Sequence, residues 1–197
     1  MLEEGNGDSR QGPREKTEKV SKLSFRTMMV FFDVLDFLYP YIKKRVKKFG
    51  IEEGMIVVDY GCGLGSYTTE MAELVGRKGT VYAIDMNRLA IEAVERKMAK
   101  YKLRNVRPIL EPIWMSGYDS TLPNGVADIV CALGKFSTIR QPTAFLGELR
   151  RIIKYDGTLI IDDDHQPRDV TKRKILDSGL WDILEETSDH LKCRPRK

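Results

Sequence analysis

Val57-Val58-Asp59-Tyr60-Gly61-Cys62-Gly63-Leu64-Gly65-Ser66 is the stretch on which the fold turns. An apolar, β-branched run from Met55 to Asp59 leads into three glycines at alternate positions. A run of that composition predicts a strand buried on both faces. Residues Tyr67 to Val75 follow with helical spacing and stop near Gly76. Glycines at such a junction let the backbone turn sharply and let a ligand approach the main chain without a Cβ in the way. In an open α/β sheet, ligands bind beyond the carboxyl ends of the strands, so this loop is the candidate site.

Two nucleotide-binding readings compete for the loop. A dinucleotide site wants G-x-G-x-x-G, with the pyrophosphate on the helix amino terminus. Here the third glycine, Gly65, falls one residue early, and Ser66 takes its place. Asp59 stands two residues before the first glycine. A carboxylate there repels a pyrophosphate but suits a ligand carrying a cationic amine and a sulfonium. The pattern D-x-G-x-G-x-G therefore favours a zwitterionic amino-acid nucleoside. Asp85 closes a second apolar run, Val81-Tyr82-Ala83-Ile84-Asp85-Met86-Asn87. A carboxylate at that edge accepts hydrogen bonds from both hydroxyls of an unphosphorylated ribose. It also fits NAD, so alone it does not discriminate.

Outward from this core, strands and helices alternate. Strands are expected at Thr80–Ile84, Val106–Leu110, Asp128–Leu133 and Thr158–Ile161. Leu89, Ile91, Val94 and Met98 mark one helix. Phe145, Leu149, Ile152 and Ile153 mark another, with Gly157 at the following turn. This alternation implies βαβ crossovers and a parallel sheet covered on both faces. Val170 to Ser178 reads as a short helix, and Trp181 to Arg194 as two strands joined at Ser188 and Asp189.

Three regions are expected: a flexible charged tail at 1–22, a helical cap at 23–50 and the main domain at 51–197. The tail has too few apolar side chains to offset its ordering entropy. Phe25, Met28, Met29, Phe32 and Leu35 form an amphipathic stripe that Pro40 ends. The stripe is either core packing or a lid over an apolar pocket, which Trp114 and Tyr118 would complete. Ile42, Val46 and Phe49 share the face of a second helix, capped by Gly50.

The bulk numbers are those of an ordinary globular chain. Of 197 residues, 42% are hydrophobic and 31% charged, with a formal net charge of +4. That excess is too diffuse for a dedicated nucleic-acid face. The runs Lys43, Lys44, Arg45, Lys47, Lys48 and Arg194, Arg196, Lys197 are read as solvated. Three separated cysteines, Cys62, Cys131 and Cys193, form no CxxC pair and point to a reducing, cytoplasmic setting. The most apolar run, Met28 to Leu38, is broken by Asp33 and Asp36 and is too short for stable membrane insertion.

The chain resembles class I S-adenosylmethionine-dependent methyltransferases, of the group that includes ubiquinone and menaquinone biosynthesis enzymes. VVDYGCGLG, VYAIDMN, LPNG with VADIVCAL, and FLGELRRIIKYDGTLII carry the likeness, over about residues 40 to 165. It implies an α/β, Rossmann-like, seven-stranded, mostly parallel sheet in the order 3-2-1-4-5-7-6, with helices on both faces and an antiparallel terminal hairpin. It implies S-adenosyl-L-methionine as cofactor. Asp59, Tyr60, Gly61, Cys62 and Gly63 would line its methionine end, and Asp85 would hold the ribose. Met86 would pack on the adenine, Glu111 would read the adenine amine, and the Ala132 carbonyl would face the ammonium.

In-line methyl transfer depends on alignment and exclusion of water, and needs a base only if the acceptor loses a proton. No catalytic residue is therefore assigned. No N-P-P-Y follows the fourth strand, and Ser137 stands where many small-molecule members have histidine. Asp162, Asp163, Asp164 and His165 admit a base or metal site; a solvated loop is the favoured reading, and no metal is expected. Cys62 reads as a packing residue and His190 as part of the hairpin. The expected partner is a small-molecule acceptor. The alternatives are an RNA or protein methyltransferase docking through Tyr41–Phe49, a non-catalytic cofactor binder, or a nicotinamide oxidoreductase.

Overall fold

A computed structural model describes residues 40–111 and 120–197. The 1–22 tail, the Phe25–Leu35 stripe, Trp114 and Tyr118 lie outside the described residues. Helix α1 spans Tyr41–Val46 and tightens into a 3₁₀ turn, Lys47–Phe49, rather than continuing as the single helix expected. Gly50 ends it in the left-handed conformation, as anticipated for a terminating glycine. There follow β1 (Ile56–Tyr60), α2 (Ser66–Val75), β2 (Thr80–Asp85), α3 (Arg88–Tyr101) and β3 (Val106–Leu110). The second half holds β4 (Ala127–Ala132), α4 (Pro142–Ile152), β5 (Ile153–Ile161), α5 (Arg168–Asp177), β6 (Trp181–Glu186) and β7 (Leu191–Pro195).

The seven strands form one sheet in the order β3-β2-β1-β4-β5-β7-β6. Strands β1 to β5 pair in parallel, and β7 runs antiparallel to both β5 and β6. This is the Rossmann-like order that the family resemblance implied. At the open β3 edge, Pro108 sits opposite Ala83.

Successive residues of each central strand point to opposite faces, so two cores form. Val57, Ile129, Cys131 and Ile160 pack with Val46, Phe49, Met71, Val75, Ile91 and Val94 from α1, α2 and α3. Val58, Val130, Leu159 and Ile161 pack with Phe145, Leu146, Leu149 and Ile175 from α4 and α5, and with Trp181. Both faces are therefore dry, which is why these strands read as continuous apolar runs.

One boundary differs from expectation. Helix α4 stops at Ile152 because Ile153 is already extended, with φ −84° and ψ 146°. Ile153 pairs with Ala127, and Thr158 with Ile129, so the four residues between form an irregular bulge inside β5. Gly157, expected at a turn, lies in that bulge. A Cβ there would come within 2.9 Å of the Asp128 carbonyl oxygen, which only glycine tolerates.

Candidate active site

The chain reverses at the end of β1 through the three glycines. The Ile84 carbonyl accepts from the N–H groups of both Gly61 and Cys62, at 2.8 and 2.9 Å, which binds the loop to β2. Gly65 has φ +77°, and a Cβ on it would lie 2.9 Å from Val94 Cγ2. Its missing side chain thus serves both the turn and the close seating of α2 on α3.

Three carboxylates line the carboxyl ends of adjacent strands. Asp59, on β1, is 3% exposed and accepts a 2.5 Å hydrogen bond from Thr68 Oγ1. Burial raises its pKa to about 6; the nearby Asp85 charge adds to this and the Thr68 hydroxyl opposes it. Asp85, on β2, accepts from Gly63 N–H at 2.9 Å through Oδ2 and from Asn87 N–H at 2.8 Å through Oδ1. Glu111, just beyond β3, is buried, and its own N–H donates to the Asp85 carbonyl at 3.1 Å. Its Oε1 accepts from Thr121 N–H at 2.9 Å and from the Thr121 hydroxyl. Its Oε2 is buried with no hydrogen-bond partner among the described residues. A buried acceptor left open is costly unless a ligand donor fills it.

The other expected residues sort by exposure. The Tyr60 ring is fully buried and stands edge-on to Phe145, centroids 5.5 Å apart, so only its backbone borders the loop. Cys62 is 8% exposed, and burial first, then the Asp59 and Asp85 charges, pushes its thiol pKa well up. It is therefore protonated at neutral pH and packs rather than reacts. Met86 projects outward beside Asp85, and Ala132, at the end of β4, is buried.

The sequence reading missed a second cluster on the same edge. Arg45, taken for part of a solvated face, is 6% exposed. Its Nη1 donates to the Tyr67 hydroxyl at 2.6 Å, and its Nη2 to Asp162 Oδ2 at 3.0 Å and to the Asp189 carbonyl at 2.5 Å. Asp162 Oδ1 accepts from Gly134 N–H at 2.8 Å. Asp162 is thus not the solvated loop residue that had been expected. Asp163 pairs with Arg168, and Asp164 accepts from the Ser137 hydroxyl. The three adjacent carboxylates therefore face three different partners. Among the described residues, no group of three or more His, Cys, Asp or Glu is placed to hold a metal ion.

His190 is fully buried at the β6–β7 turn, its Nδ1 2.7 Å from Asp189 Oδ1 and its ring edge-on to Phe49. Burial lowers its pKa, against the opposing pull of Asp189. Burial would raise Asp189, but hydrogen bonds from Thr187 and His190, with the nearby Lys48 ammonium, hold it at about 2. The docking helix of the RNA alternative is partly engaged locally, with Lys44 and Lys47 left exposed. Lys43 pairs with Glu70 and Glu73, Lys48 with Asp189, and Arg45 is inside.

A glycine loop after β1, acids ending β1 and β2, and a sheet closed by an antiparallel β7 define a class I S-adenosylmethionine-dependent methyltransferase. A family model described as "Methyltransferase domain" matches residues 51–191, and the chain belongs to that family. It is 25% identical over 122 residues to a demethylmenaquinone methyltransferase of a Geobacillus species, covering 62% of this chain and 50% of that one. It is 25% identical over 161 residues to a ubiquinone/menaquinone biosynthesis C-methyltransferase of a Shewanella species, covering 80% of this chain and 62% of that one. The chain thus spans roughly half to three-fifths of the length of these relatives. Among solved structures, a SAM-dependent methyltransferase from Aquifex aeolicus superposes with a TM-score of 0.64 at 26% identity, over 79% of this chain and 88% of that one. Among the described residues, no helix is long and apolar enough to cross a membrane.

Proposed function

We propose that this chain transfers a methyl group from S-adenosylmethionine to a small, partly apolar acceptor in the cytoplasm. The observation that carries the reading is the row Asp59, Asp85, Glu111 along three neighbouring strand ends. Each acid matches a different donor of the cofactor. Glu111 Oε2 has an empty valence where an adenine amine would donate. Asp85 would exchange its backbone donors for ribose hydroxyls. Asp59, titrating near pH 6, is largely ionised at neutral pH and would favour the ammonium and sulfonium end. The cofactor supplies an electrophilic methyl group. What the chain's own residues contribute is alignment, through the Gly61–Gly65 loop, and a dry floor formed by the buried ends of β1 and β4.

The acceptor class rests on the quinone-pathway names of the two relatives. The decisive experiment incubates the full chain with methyl-labelled cofactor and a panel of prenylated and short-chain quinols, phenols and amines. Label transfer to one of them is the expected result. Cofactor binding without transfer to any panel member, but with transfer to RNA or protein, would overturn the small-molecule reading.

A further inference from the structure

At the opposite, amino-terminal edge of the sheet lies a groove of about 750 Å³ between the ends of α2 and α3 and the starts of β2 and β3. Arg77, Lys78, Lys102, Arg104 and Arg107 line it. All five are exposed, and none makes an ion pair among the described residues. Among the described residues, Arg107 donates to the carbonyls of Arg104 and Val106. Many cations elsewhere are matched, among them Lys43, Arg151, Lys154, Arg168, Lys172 and Lys192, which all pair with acids. What sets this groove apart is that five cations without an acid partner among the described residues line one concavity.

Two ordinary explanations fall short. Cations favour helix carboxyl ends, but two ends supply only about −0.5 charge each, roughly −1 against +5. Asn105 already donates to the Ala72 and Gly76 carbonyls at the α2 end, both at 2.7 Å. Glu53 is the acid placed beside Gly76 at the rim, and it leaves four positive charges unmatched. The whole chain carries a net +4, so this one groove holds an excess as large as the entire molecule's. Holding like charges together costs stability unless an anion joins them.

We propose that this groove binds a compact multivalent phosphate, such as the oligophosphate of a nucleotide, at a site separate from the cofactor. The volume is that of a small-ligand pocket. A strand of β2's length, at about 3.3 Å per residue, puts it roughly 16 Å from Asp85. The forked guanidinium groups of Arg77, Arg104 and Arg107 suit phosphate oxygens in pairs. Phosphate chemistry here is independent of the glycine loop, where Asp59 and Asp85 disfavour it.

The test titrates inorganic tripolyphosphate into the full chain by calorimetry at low and at physiological salt, alongside S-adenosylhomocysteine. The proposal expects saturable tripolyphosphate binding that weakens with salt and is not displaced by S-adenosylhomocysteine. Arg77→Gln with Arg104→Gln should weaken it about tenfold or more, since each charged hydrogen bond lost is worth about that factor. The same double variant should bind S-adenosylhomocysteine as the parent does. Absence of saturable binding at low salt, an unchanged affinity in the variant, or displacement by S-adenosylhomocysteine would each overturn the site. So would a single-stranded RNA that binds through these residues when tripolyphosphate does not.

Discussion

Arg45 and Asp162, 117 positions apart, meet at 3.0 Å with side chains only 7% and 12% exposed. The pair joins the helix before β1 to the end of β5, and the same guanidinium reaches Tyr67 and Asp189. Burial would lower the Arg45 pKa, but the Tyr67 and Asp162 contacts raise it further, so the charge stays.

Arg45→Met keeps most of the stem volume but leaves Asp162 buried without its cation. The expected loss is about 3–5 kcal/mol of unfolding free energy, as for other half-removed buried pairs. Adding Asp162→Asn should restore part of it, because the amide oxygen still accepts from Gly134. Urea unfolding of both variants decides; a midpoint for Arg45→Met equal to the parent's would mean that the cluster is not buried in solution.

Asp59 makes stability depend on pH in an unusual direction. Its folded pKa of about 6 lies above the ordinary 3.8, so between these values the native state holds a proton that the unfolded chain has lost. The contribution is fully present below about pH 4 and disappears as pH rises through 6. The gap corresponds to about 3 kcal/mol. Asp59→Asn should flatten this part of the pH–stability profile of the cofactor-free chain. It would be refuted by parallel profiles for the two proteins.

Cofactor binding should show the opposite trend with pH. A cationic amino-acid end favours the ionised Asp59, so affinity should climb roughly tenfold per pH step below about 6 and level off above it. Calorimetry in buffers of different ionisation enthalpy would register the accompanying proton release. A flat affinity from pH 5 to 7 would remove Asp59 from the binding site.

Asp85→Ala should weaken cofactor binding by about 2 kcal/mol or more, because two ribose hydroxyls lose a charged acceptor. The fold should survive, since the Ile84 carbonyl still holds Gly61 and Cys62. Unchanged affinity in a folded variant would contradict the assignment.

Glu111→Gln exchanges an open acceptor for a group that can present a donor. Binding of the adenine nucleoside should fall about tenfold, while an inosine analogue, lacking the amine, should lose nothing. Equal losses for both would place Glu111 outside adenine recognition.

Much of this architecture could be read from the chain because local signals agreed with one another. The runs at Val57, Val81 and Ile129 are apolar on both faces, and the glycines fall where a crossover must begin. Asp59 was singled out by its place before the glycines, Asp85 by its place at a strand end, and Glu111 through the family resemblance. Arg45 was missed although its position announced it: it lies three residues after Ile42 and four before Phe49, on the apolar face. A charge on that face signals a buried partner, but nothing local says that the partner is Asp162. The β5 bulge was hidden for a similar reason, since Ile153 fits helical spacing and only its pairing with Ala127 makes it extended. Thr68, which holds Asp59, has no motif of its own.

Pro108 bears on how the molecule behaves in a crowd. In β3 the groups that face β2 belong to alternate residues, as Val81 N–H to the Asn105 carbonyl and Glu111 N–H to the Asp85 carbonyl show. Residues 106, 108 and 110 therefore turn their main-chain groups outward along the sheet's free margin. The middle one is a proline with no N–H to give. A foreign strand laid along this margin finds its ladder interrupted at the centre of a five-residue strand. Among the described residues no helix covers this margin, and the proline itself closes it to runaway pairing between copies.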